Sequence, residues 1–250
     1  MTKIFEKLND KLTFRKFASF KSMIKGNKNY ENIDKIVNYI NSLEDEKAKA
    51  KLIKQAKHYF SGKFNMPESH IFMASEIEKM ANVVEVCTVI GDVEITKELV
   101  EVLKSRVGNI KYLVGDLSIP AEHVELKYLT NVYGDVKLGE QAKLYAEKLE
   151  EITGSLIMPN NKYTTNLPVV KVGKKADLSN SAIRYLMRLT SVGKSLNLRG
   201  SDIKYIPSLI YPGSELFDLR DTNIEKLPKE IEFPENCVVY TTPHDWTSEN

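Results

Sequence analysis

The chain has 250 residues, 42% of them hydrophobic and 28% charged, with a formal net charge of +2. That is length enough for a substantial core, in one large domain or two small ones. No run reaches the roughly 18 apolar residues of a membrane span. The opening "MTKIFEKLNDKLTFRKF" carries charges throughout, without the apolar h-region of a secretory signal.

The charge is unevenly placed. Residues 1–80 hold 16 Lys/Arg against 10 Asp/Glu, whereas residues 81–250 hold 20 against 24. A basic head therefore precedes a mildly acidic body. Cys87 and Cys237 lie far apart and outside any CxxC spacing. Free thiols in a reducing, cytoplasmic setting are the expectation.

The first eighty residues read as helices. In "IFEKLNDKLTFRKFASFKSMI" the apolar residues from Ile4 to Ile24 recur mostly at three- and four-residue steps, up to a break at Gly26–Asn27. "IDKIVNYINSL" places Ile33, Ile36, Val37, Ile40 and Leu43 on one face. "EDEKAKAKLIKQAKHYF" opens with acids and fills with lysines, as the dipole of a third helix favours. A break is expected at Gly62, and Pro67–Glu68 predicts the start of a fourth, "ESHIFMASEIEKM".

From about Val86 the pattern becomes a repeat. Strand-like cores follow a glycine in "GDVEI", "GDLSI", "GDVKL" and "GSLIM", and continue in "KKADL", "KSLNL", "LFDL" and "CVVY". Their last apolar residues are Ile95, Ile119, Leu138, Met158, Leu178, Leu198, Leu219 and Tyr240, at steps of 24, 19, 20, 20, 20, 21 and 21. Upstream sits an apolar-x-x-apolar pair, such as Leu129 with Val132 or Leu189 with Val192. One such unit cannot bury its own apolar face. Units stacked in parallel at about 4.8 Å can.

With "VGKSLNLRGSDIKYIP" as its best example, this grammar resembles the short leucine-rich repeats of bacterial and bacteriophage proteins, over about residues 86–241. It departs from that family in lacking an asparagine ladder: Asn180 and Asn223 are isolated, and Gly200 stands at the position equivalent to Asn180. The early returns "TKELVEVLKSRVGN" and "EQAKLYAEKLEEI" are longer, and either helical or extended. The resemblance implies a curved solenoid whose parallel sheet binds a partner, and no catalytic residues. The Asn/Lys-rich composition also looks phage-like.

The expected fold is therefore α+β. An α-helical basic domain or cap over residues 1–82 precedes a leucine-rich-repeat-like solenoid over 83–250, with one parallel sheet of about eight rungs and a C-terminal cap. His58, His70, His123 and His244 have no metal-ligand spacing, and no nucleotide, hydrolase or EF-hand motif occurs. Neither an enzyme nor a cofactor or metal is expected. Cys87 reads as a packed thiol, and Trp246 as a cover for the last rung.

Three sets of residues are candidate contacts. Arg199, Arg220, Lys137, Asp177, Asn197 and Asp218 should face outward on the sheet and meet a protein partner. Asp92, Asp116 and Asp135 follow the glycine in successive rungs. They either bond backbone amides in their own turns or form an acidic strip for a basic partner or hard cation. Lys11, Arg15, Lys16 and Lys21 could contact nucleic acid. The expected function is protein recognition, with a host-cell protein such as a defence or transcription component as the partner of a phage-encoded chain. The alternatives are a nucleic-acid-binding regulator and a virion or assembly protein.

Overall fold

The computed structural model of the protein describes residues 40, 42–224 and 226–241. The helix expected over 4–24, most of the one over 33–43, and the candidates Lys11, Arg15, Lys16, Lys21, His244 and Trp246 lie outside those residues.

Helix α1 spans Glu46–Phe64. The Asp45 side chain accepts the N–H groups of Lys47 and Ala48, and Asn65 ends the helix in the left-handed region at φ 50°. Gly62 does not break it. A single helical glycine costs about 1 kcal/mol relative to alanine, and Phe60 and Phe64, stacked 5.6 Å apart on either side, are held by packing.

The fourth expected helix is not one. A 3-10 turn at Glu68–His70 leads into a strand, Ile71–Met73, and a 3-10 segment, Ala74–Asn82. Phe72 points into the main core while Ile71 and Met73 face α1. An apolar triplet buried on both sides has no helical or strand period of its own. Pairing decides it: Ile71, Phe72 and Met73 lie parallel to Thr88, Val89 and Ile90. The sheet thus begins inside the segment expected to be wholly helical.

Beyond Cys87 the described chain is mixed α/β, with few helices and parallel sheets that close no barrel. The expectation of one sheet is corrected to two long ones, of seven and eight strands. The apolar-x-x-apolar segments form the first: Val89, Leu113, Val132, Ile152, Val172 and Val192 stand in register. After a glycine-containing corner the chain enters the second sheet, where Ser118, Lys137, Ile157, Asp177, Asn197 and Asp218 are partners in turn. A third face carries His123–Glu125 paired with Lys143–Tyr145, continued by bridges from Asn166 to Tyr185 and Tyr185 to Tyr205.

The register in the second sheet is the one the repeat predicts, except in the last rung. There Asp218 pairs with Tyr240 and Phe217 with Val239, one residue away from the expected alignment of Leu219 with Tyr240. Val238, Val239 and Tyr240 are all exposed. Without a buried face, hydrophobic alternation does not fix register. Inside the stack, Ile119, Leu138, Met158, Leu178, Leu198 and Leu219 form a buried column, each worth about 1.5–3 kcal/mol.

A second column replaces the missing asparagine ladder. Asn160, Asn180, Gly200 and Asp221 take left-handed backbone at φ 51–67°. The residues after them, Asn161, Ser181, Ser201 and Thr222, are buried. Ser181 and Ser201 donate to the carbonyls of Leu178 and Leu198 at 2.6 Å, and Thr222 to that of Leu219 at 2.8 Å. Asn161 Nδ2 donates to the carbonyls of Gly139 and Ala142. Ser181, Ser201 and Thr222 so bond within their own corners, while Asn161 reaches back to the preceding rung.

Helix α1 does not cover the end of the stack. Leu52, Ala56 and Phe60 pack on Ile71, Met73, Ile90, Val114 and Tyr133, on the outer face of the first sheet. Phe64 stacks on Tyr112 at 4.3 Å and Tyr133 at 5.6 Å. Further along, that face carries Thr153, Gly173 and Gly193, and the apolar seat ends. The interior of the first rung is closed by Ile77, Met80, Leu103 and Val107. They come from the 3-10 segments Ala74–Asn82 and Lys104–Asn109 and from helix α2, Lys97–Leu103. The first long return is thus helical and the third, with Lys143–Tyr145, extended.

Candidate functional site

Asp92, Asp116 and Asp135 form a ladder between rungs rather than within their own turns. Asp92 accepts the backbone N–H of Asp116 at 2.9 Å, Asp116 that of Asp135 at 2.7 Å, and Asp135 that of Ser155 at 2.7 Å. A corner stacked on a corner brings each carboxylate nearest the amide of the next rung. Lys137 Nζ adds a 3.4 Å contact to Asp116.

Asp177, Asn197 and Asp218 are neighbours in the second sheet, as expected, and each accepts the N–H two residues on, from Ser179, Arg199 and Arg220. Asn197 also donates to Asp177 at 3.1 Å. Arg220 grips the buried Asp218 with Nη2 at 2.6 Å and Nε at 3.0 Å, and lies 4.3 Å from the centre of the Tyr240 ring. Burial raises the Asp218 pKa, but hydrogen bonds from Arg220 and the nearby guanidinium charges leave it lowered overall. Arg199 reaches Asp221 at 3.4 Å. Much of this face's polar capacity is spent on itself.

The third face differs. Tyr145, Tyr185 and Tyr205 are 49%, 38% and 52% exposed, with Tyr163 and Met187 also exposed. The Tyr185 and Tyr205 rings stack nearly parallel, with centroids 6.1 Å apart and planes 4° from parallel. The sequence signal is present in "AIRYLM" and "DIKYIP", where tyrosine sits between buried apolar residues. Alignment on the second-sheet strands alone overlooks it.

Comparison with protein-family models, curated proteins and solved structures finds no match. Burial pushes the Cys87 thiol up to about 12, and its Sγ lies 3.7 Å from Met80 Sδ and 3.5 Å from the Asn109 carbonyl. It is a packed thiol. His58 Nδ1 pairs with Glu68 at 2.8 Å. Among the described residues no group of three or more His, Cys, Asp or Glu could hold a metal ion. No described helix is long and apolar enough to cross a membrane.

Proposed function

We propose that the chain is a non-catalytic recognition protein built as a solenoid, with the third face as its protein-binding surface. The observation that carries this reading is the exposed, stacked pair Tyr185 and Tyr205, flanked by Arg184 and Lys204. Tyrosine and arginine are enriched at interface hot spots, where a rigid ring adds area at little entropic cost. Parallel pairing at steps near twenty residues supports the solenoid. The second sheet and bridged third face depart from the single sheet that a leucine-rich repeat implies.

The interface is therefore assigned to the tyrosine pair rather than to Arg199 and Arg220, whose side chains already hold Asp221 and Asp218. A host-cell protein is the proposed partner of a phage-encoded chain. Affinity capture from a bacterial lysate with wild type, then with Tyr185→Ala/Tyr205→Ala, tests the surface. A protein retained by the wild type and lost with the double variant supports it. A protein retained equally by both contradicts it. Binding of nucleic acid through the basic N-terminal segment would instead appear as steep salt dependence, unaffected by either tyrosine.

A further inference from the structure

At the N-terminal end of the third face, His123, Glu125, Lys127, Tyr145 and Glu147 line an open cleft of about 330 Å³. The pairing of His123–Glu125 with Lys143–Tyr145 places Glu125 beside Tyr145 on adjacent strands. Lys127 and Glu147 follow those two strands by two residues, in the turns that come next. Neighbouring rungs therefore deliver acceptors, donors and a ring to one hollow.

The polar groups of this cleft are available. The carboxylates of Glu125 and Glu147 have no hydrogen-bond or ion-pair partner among the described residues. The His123 ring lies 5.2 Å from that of Tyr163. Lys127 Nζ lies 4.9 Å from the centre of the Tyr128 ring and Lys143 Nζ 4.7 Å from that of Tyr145, and neither pairs with a carboxylate among the described residues. Tyr145 remains half exposed.

Charge then sorts the ligands. An anion would meet two carboxylates, and a cation would meet Lys127 and Lys143. His123, Glu125 and Glu147 do not form a group that could hold a metal ion. A neutral polyhydroxylated ring uses both kinds of polar group at once: its hydroxyls donate to Glu125 and Glu147, accept from Lys127 and His123, and its C–H face lies on the tyrosine. The volume is at the small end of the roughly 300–1,000 Å³ usual for ligand sites, which suits one or two rings.

The geometry points to a site for a neutral pyranose sugar in this cleft, with Tyr145 as the platform and Glu125 and Glu147 as hydroxyl acceptors. This ligand class is separate from the protein partner proposed for Tyr185 and Tyr205. The full chain is applied to an array of neutral glycans, and the best ligand, as its methyl glycoside, is measured by calorimetry. Binding should weaken on the order of tenfold or more in Tyr145→Ala, weaken in Glu125→Gln, and persist in Tyr205→Ala, all with unchanged melting temperatures. The site is refuted if no neutral glycan is retained, if triarginine or inorganic phosphate binds in preference, or if Tyr145→Ala binds as wild type. Loss of the protein partner in Tyr185→Ala/Tyr205→Ala is scored independently, so either reading can fail without the other.

Discussion

The Asp116 carboxylate accepts the backbone N–H of Asp135 at 2.7 Å, one rung further along the stack. Together with Asp92 and Asp135 it ties the corners of four successive rungs. Asp116→Ala should leave that amide without its partner and cost about 1–3 kcal/mol. Asp116→Asn retains an acceptor oxygen and should cost less. Urea denaturation of both variants checks the order; equal losses would mean that the negative charge, and not the acceptor, matters.

Leu198 is fully buried in the interior column. Leu198→Asp places an unpaired carboxylate there, so severe destabilisation or failure to fold is expected. Leu198→Ala should fold, with a loss of about 2–5 kcal/mol. Thermal melts distinguish these outcomes, and a wild-type melting temperature for either would contradict the assigned register.

Arg220→Glu is predicted to lower the melting temperature, because Asp218 is only 3% exposed and would face a second carboxylate in place of its bidentate partner. Arg199→Glu should be nearly silent, since Arg199 meets the exposed Asp221. Sequence position alone makes these arginines equivalent. The structure does not.

Glu76 supplies a pH dependence. Burial raises its pKa, but hydrogen bonds from Lys57, Lys79 and the Met73 N–H bring it down to about 2 from an ordinary 4.5. Its folded-state pKa is depressed, so this contribution to stability is present above about pH 4.5 and fades as pH falls toward 2. Stability measured across that window should decline less in Glu76→Gln than in wild type. Parallel declines would assign acid sensitivity to other groups.

Much of this architecture was legible because a rung repeats its own hydrophobic spacing. Leu138, Met158, Leu178 and Leu198 were aligned by period alone, and the second sheet pairs their strands as aligned. What escaped is what periodicity does not encode. Ile71–Met73 is a strand because a neighbour pairs with it and α1 covers it. The first sheet's two-residue strands are too short to show alternation. Val238–Tyr240 slips by one because no buried face holds it. For the candidate site, the period alone sets Asp177, Asn197 and Asp218 side by side, yet their hydrogen bonds to nearby amides appear only in three dimensions.

Distances between spin labels along the second sheet test the stacking most directly. In a Cys237→Ser background, nitroxides at Glu94 and Lys175 span four strand steps, and those at Glu94 and Tyr240 span seven. At about 4.8 Å per step, the backbone separations should be roughly 19 Å and roughly 34 Å, growing in proportion to rung number. A Glu94–Tyr240 distance equal to or shorter than Glu94–Lys175 would mean that the chain folds back on itself, and the stack of parallel rungs would be wrong.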